Sequence, residues 1–213
     1  MDYIEKNLKH EVSELICLKC LNRWIGIYPE ATLLKELECK CGEVGYVIKT
    51  GETIEIDVPT MKKYEITNDT KTINGVTVHR IVALKSFGNV TKGDLGGWIE
   101  KESNLSQSGN AWVTDDAVIY GEASVKGDAK VSGNAVVYDH ALINCHANVT
   151  DNVIIRGRSF ISGDTKVFEN AVVEGYATTY DNAIIRGNAR ISGSVIMKGY
   201  SRAGGNVSVG IYE

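Results

Sequence analysis

From residue 109 to residue 209 one pattern of hydrophobic and polar positions recurs every six residues without a gap. Counted in sixes from Val113 to Val209, fourteen of seventeen positions are Val or Ile. Two residues before each runs a second column, Ala111 to Val207, that holds only Ala, Val, Ser or Thr, with Ala at eleven places. Two residues earlier again, from Gly109 to Gly205, stand eleven Gly and four Asp, with Cys145 and Glu169 as exceptions. A β-branched residue fills an interior from a short strand, a small residue fits beside a corner, and Gly or Asp accepts turn backbone. A strict period of six does not keep one face of an α-helix aligned, so the pattern predicts stacked β coils. Each unit buries little alone; stacked coils share one core and pair their strands with the coil above and below.

Upstream the pattern changes. Residues 61–104 read as a small β unit, with the strand-like KKYEI followed by TINGVTVHRIVAL, where Asn74-Gly75 between apolar residues signals a hairpin. In the segment that follows, Leu95, Trp98, Ile99 and Leu105 are expected to plug the open N-terminal end of the coils. Residues 53–60 read as a linker between Gly51 and Pro59, and residues 1–13 as a polar segment.

Charge and composition exclude more than they specify. The net charge is −4 with both signs interspersed, which favours neither nucleic acid nor an anionic membrane. The N-terminus lacks the basic start and apolar core of a signal peptide, and no segment has the length of a membrane span, so a cytoplasmic protein is expected. In that compartment cysteines are usually reduced, and four of the five lie within 25 residues: Cys17, Cys20, Cys39 and Cys41. Their spacing is C-x2-C, eighteen residues, then C-x-C. Four thiolates in two close pairs suit tetrahedral zinc, which would supply folding energy to a segment too small to build a sufficient core. Structural Zn2+ is the expected cofactor.

Residues 14–52, carrying those cysteines with Trp24, Tyr28, Leu37 to Gly42 and GYVIKTGE, resemble the zinc-ribbon modules of many phage-borne proteins. The second knuckle, ECKCG, is one residue shorter than the usual C-x2-C-G. The six-residue repeat resembles the hexapeptide-repeat, left-handed parallel β-helix superfamily, in which three units make one triangular coil. The fold class expected is therefore all-β: a single-stranded left-handed parallel β-helix of about five to six coils over 105–213, preceded by the hairpin unit and a zinc ribbon. The entry segment GDLGGWIEKESNLSQSGNAWV looks like that of phage and bacterial hexapeptide-repeat proteins of uncharacterised role.

Many members of that superfamily are acyltransferases, and the resemblance implies for them a histidine base beside a loop thrown out from the coils. Here the repeat carries no insertion. A period of eighteen stacks His140 with Arg158 and Tyr176 on one corner, and His146 with Asp128 and Asp164 on another, next to Cys145. An imidazole between two carboxylates has the elements of a base, but Asp, Asn and His are also what corner backbone accepts. Histidines on different corners do not match the converging ligands of carbonic anhydrases of this architecture. No enzymatic activity and no small-molecule substrate are expected.

The outward positions suggest a partner instead. Val118, Tyr120, Val136, Tyr138, Ile154 and Val172 form one apolar and aromatic stripe, expected to be an oligomer or partner face; Leu142, Phe160, Tyr180 and Ile196 are scattered over a second face. Nucleic-acid binding is the alternative partner class, but in residues 14–50 Lys19, Arg23, Lys35, Lys40 and Lys49 are matched by Glu14, Glu30, Glu36, Glu38 and Glu43. Both resemblances point to a phage or mobile-element binding protein, homo-oligomeric, inhibiting or adapting a host machine in the manner of an anti-defence protein such as an anti-CRISPR. A nucleic-acid-binding zinc-ribbon protein and an acyltransferase-like enzyme are the competing readings.

Overall fold

The computed structural model describes residues 9–21, 23–29, 37–40, 47–49, 54–57 and 62–211. They fall into two compact units, residues 1–61 and 62–213.

In the first unit, strand β1 (Lys9–Cys17) pairs antiparallel with β2 (Arg23–Pro29), β3 (Val47–Lys49) and β4 (Ile54–Asp57). Two expectations change here. Residues 9–13 of the polar N-terminal segment lie in β1, and residues 54–57 of the expected linker are a strand on it, because IEID supplies the alternation a strand edge accepts. One face of the sheet is buried: Ser13, Leu15, Cys17, Tyr28 and Val47 are each at most 4% exposed, and Trp24 and Leu37 pack against them. Gly26 permits this packing, since a Cβ there would lie 2.4 Å from Leu15 Cδ1. The buried Tyr28 hydroxyl donates to Ser13 Oγ at 2.9 Å, which satisfies both groups.

In the second unit, the strands from Trp112–Val113 to Ser208–Ile211 stack with an offset of eighteen residues into three parallel sheets. The result is a parallel β-helix of about six turns, all-β as the repeat implies. All seventeen positions of the Gly/Asp column have positive φ, including Asp115, Asp139, Cys145, Asp151, Glu169 and Asp181. At Gly163 (φ +69°) an added Cβ would sit 2.5 Å from Asp181 N. Each of the four Asp accepts, through its carboxylate, the N–H of the residue eighteen positions on: Asp115 from Gly133, Asp139 from Gly157, Asp151 from Glu169 and Asp181 from Gly199, at 2.9–3.0 Å. Asp at this column is therefore bonded to the coil below as well as tolerated in the turn. On one corner Asn134, Asn152, Asn170, Asn188 and Asn206 form a continuous ladder of amide hydrogen bonds, 2.8–3.2 Å each.

The small-residue column admits Ser and Thr for a local reason. Ser159, Thr165 and Ser201 donate their hydroxyls to the carbonyl three residues back, at 2.5–2.7 Å. Thr179 sits instead in the large column, fully buried, and its Oγ1 has no hydrogen-bond partner.

The coils need donors at their N-terminal end, because within the stack each coil's carbonyls accept from the coil before it. Three devices provide them. On the sheet that carries Val118, β7 (Leu95–Ile99) pairs parallel with the first coil strand, Val118–Ile119, and is itself paired with the hairpin β5 (Tyr64–Ile73) and β6 (Val76–Ala83). On the second, buried Asn104 donates to Gly121 O and Ala123 O at 3.0 and 2.7 Å. On the third, the Lys63 ammonium, 1% exposed as a residue, donates to Ala111 O at 2.8 Å and lies over the Phe87 ring. Burial pulls the Lys63 amine down to about 8.

The plug differs from the one expected. Ile99 and Leu105 are buried in the core, joined by Tyr64 and Ile81, whereas Leu95 is 55% exposed. Trp98 is on the outer face, where Lys71 and Arg80 lie over its ring at 4.5 and 5.1 Å. For Trp98 strand alternation is the cause, since it pairs with the outward Val118 while Ile99 pairs with the inward Ile119; Leu95 lies past a register shift in the pairing of β6 with β7, which breaks the alternation before it reaches that residue.

Two substitutions test this architecture by thermal or denaturant unfolding. Thr179→Val removes a buried, unbonded hydroxyl without changing shape and should stabilise the protein by ~1 kcal/mol. Gly163→Ala places a Cβ against the next coil in a left-handed turn and should cost ~1–3 kcal/mol.

Candidate functional site

The first knuckle follows directly from the end of β1. The chain turns through Cys17-Leu18-Lys19-Cys20, closed by the Leu21 N–H donating to Cys17 O at 2.8 Å with Leu21 at φ 58°. This brings Cys17 and Cys20 to one side, and Cys39 reaches them from the other half of the unit. The three Sγ atoms lie within 4.8 Å of one another, with Cys20 and Cys39 at 3.5 Å. Four sulfurs around zinc, at ~2.3 Å from the ion, sit ~3.8 Å apart, so the observed spacing fits a shared metal ion. Cys17 is buried, and its thiol is lowered to about 7, chiefly because the Cys20 N–H points at the sulfur, aided by Lys19 N–H and the other two thiols. Such a thiol ionises near neutrality, as a ligand must. The fourth expected ligand, Cys41, lies outside the described residues. Trp24 and Tyr28, the aromatics available for stacking on bases, are part of the small core.

The corner columns are real neighbours. Asn110 donates to Asp128 through its backbone and side-chain N–H, at 3.0 and 2.9 Å. These bonds hold the Asp128 carboxyl below its usual range. His146 lies with Nε2 3.4 Å from Asp128 and Nδ1 3.8 Å from Asp164, but its side chain is 67% exposed. Cys145, exposed in the left-handed turn, has its thiol lowered by the Ser162 hydroxyl, 3.2 Å away, and by the Gly163 N–H. The sulfur thus receives the same contact from eighteen residues on that the Asp carboxylates receive elsewhere. On the other corner, His140 and Tyr176 are exposed, and no side-chain hydrogen bond joins them to Arg158 among the described residues.

The apolar stripe is divided. Val118 and Tyr120 are 2% and 7% exposed, and Val136 and Tyr138 are half-buried. The expected open face is covered at this end, because the hairpin contributes Val78, Ile73 and Val76 to the same cluster and Asn74 donates to the Tyr120 hydroxyl at 3.1 Å. Tyr120 and Tyr138 stack with ring centroids 5.0 Å apart, and the Tyr138 hydroxyl accepts from Arg156, which also bonds Glu174. Beyond the hairpin, Ile154 is 37% exposed and Val172 half-buried. On the second face Ile196 is 63% exposed, while Leu142, Phe160 and Tyr180 are half-buried.

One feature was not legible as a site: a groove on the sheet of Trp112, Lys130, Asn148 and Lys166, beneath the segment 84–94 that joins β6 to β7. The repeat itself has no insertion, yet a loop from before the repeat overhangs a face, and His146 is among the residues beneath it. The sequence signal was the GN turn after Phe87; which face it would overhang depends on how the cap is seated.

Comparison with known proteins gives a partial likeness. The chain is 33% identical over 70 residues to the uncharacterized acetyltransferase YdcK of Escherichia coli (strain K12), a match covering 29% of this chain and 22% of that protein. No family model matches. The chain thus spans about a fifth of the length of the curated relative it matches, and the likeness accords with a hexapeptide-repeat β-helix.

Proposed function

We propose that this chain is a non-catalytic binding protein of phage or mobile-element origin. In this reading a zinc-stabilised small sheet accompanies a rigid β-helix that assembles with itself and holds a host protein, as an inhibitor or adaptor of a host machine. The observation that carries it is the unbroken register: from Gly109 to Gly205 every sixth residue turns through positive φ, so no insertion leaves the coils to build a catalytic loop. The stripe below the hairpin, around Ile154 and Val172, is the part of the expected assembly face that the chain itself leaves accessible. Zinc would be held by Cys17, Cys20 and Cys39, with Cys41 as the fourth ligand; its role is to fix the knuckles, and the chain's own contribution is the set of backbone donors that favour the Cys17 thiolate.

A second reading, acyl transfer, is favoured by the likeness to an acetyltransferase and by His146 lying under the 84–94 loop. Nucleic-acid binding by the first unit has no comparable support.

Light scattering should give a mass that is a multiple of 23.2 kDa, lowered by Ile154→Asp with Val172→Asp. A monomer in both cases rejects self-assembly. Acetyl-CoA turnover abolished by His146→Ala would establish the second reading instead. Chelation should release one zinc per chain and unfold the first unit. The Cys17 pKa, lowered from 9.0 to about 7, favours the folded state fully above ~9, and that contribution is lost as pH falls through 7. Zinc retention should therefore weaken on acidification below 7, read by a colorimetric zinc indicator.

A further inference from the structure

Beyond that reading, we infer that the groove under the 84–94 loop binds a phosphate ester of a small hydroxylated molecule. The groove comprises two adjoining cavities of about 540 and 430 Å³ that share Gly88, Asn89, Asn110, Lys130 and Asn148. Its roof is built before any ligand arrives. Phe87 and Val90 exchange backbone hydrogen bonds at 3.0 and 2.8 Å, Lys92 N–H donates to Ser86 Oγ at 3.0 Å, and the Phe87 ring stands edge-on to Trp112 with centroids 5.3 Å apart.

The chemistry follows from which groups are already engaged. Among the acids, the Asp94 carboxylate accepts from Thr91 N–H at 2.7 Å and Asp128 accepts twice from Asn110, while Asp164, at the far end of the groove, has only the His146 imidazole beside it at 3.8 Å. Among the described residues, no hydrogen bond or ion pair engages the ammonium groups of Lys130 and Lys166, the side-chain amides of Asn89 and Asn148, or the hydroxyls of Thr114 and Ser132. The unused valences are dominated by donors, two of them cationic, so the complementary ligand is anionic and rich in acceptors. Lys130, Asn148 and Lys166 are in register on successive coils, so the two lysines stand ~10 Å apart at the backbone, two inter-strand spacings. Their flexible stems allow both ammonium groups to converge on one phosphate above Asn148. The amides and hydroxyls along the groove then face the hydroxylated part of the molecule. Two sources share this chemistry, a sugar phosphate and a mononucleotide.

The test is calorimetric titration of the full chain with ribose 5-phosphate, AMP, inorganic phosphate and ribose. Saturable binding of ribose 5-phosphate or AMP, weakened about tenfold or more by Lys130→Gln and by Lys166→Gln, is the expected result. Arg202→Gln, on the same outward row but outside the groove, should leave it unchanged. The tighter of the two esters identifies the source. Equal weakening by Arg202→Gln, inorganic phosphate binding as tightly as the esters, or no saturation by either ester at millimolar concentration would each overturn the assignment. All three variants alter exposed side chains, and an unchanged melting temperature confirms that each titration reports on folded protein.

Discussion

The second unit depends on one constraint: every six residues the backbone must pass through the left-handed region while the neighbouring coil lies in contact with it. Gly satisfies this without a side chain. Asp satisfies it by sending its carboxylate to the N–H of the next coil, and Cys145 occupies the same place with its sulfur. Because the turn fixes the period, it also fixes which residues face inward, and the Val, Ile and Ala columns follow. A residue inserted within a strand would turn the side chains beside it to the wrong face, whereas an insertion at a turn would have to leave the coil as a loop.

A stack of this kind has unsatisfied backbone at its first coil, and the N-terminal part of the unit exists largely to answer it. Strand β7, Asn104 and Lys63 supply donors to three different sheets, while Tyr64 and Ile81 complete the core. The same arrangement has surface consequences. Continuing one sheet into a hairpin covers the start of the apolar stripe, and the connection from β6 to β7 overhangs another face and creates the groove. The cap therefore decides which parts of a regular prism are accessible to partners.

In the first unit the knuckle geometry rests on backbone hydrogen bonds rather than on a large core. Cys17 is buried at the end of β1, and the N–H groups of the turn stabilise its thiolate. A metal ion held by these sulfurs would be coupled to protonation, since the ion and the proton compete for the same sulfur lone pair.

The sequence alone determined the coil architecture, its core columns and its turn column, and pointed to the clustering of Cys17 and Cys20, because each is set by local spacing: a period of six for the coils, a close cysteine pair for the turn. It placed His146 beside Asp128 and Asp164 for the same reason, since an eighteen-residue period converts directly into neighbours. It misassigned Leu95 and Trp98 to the plug and residues 54–57 to a linker, because pairing with another strand turns Trp98 outward, a register shift in that pairing leaves Leu95 exposed, and β4 forms only against β1. It also took Val118 and Tyr120 as exposed. Only the tertiary structure decided that the hairpin covers those two residues and that the 84–94 loop lies over Lys130 and Asn148. Those contacts join the repeat to segments that precede it in the chain, where no period relates one residue to another.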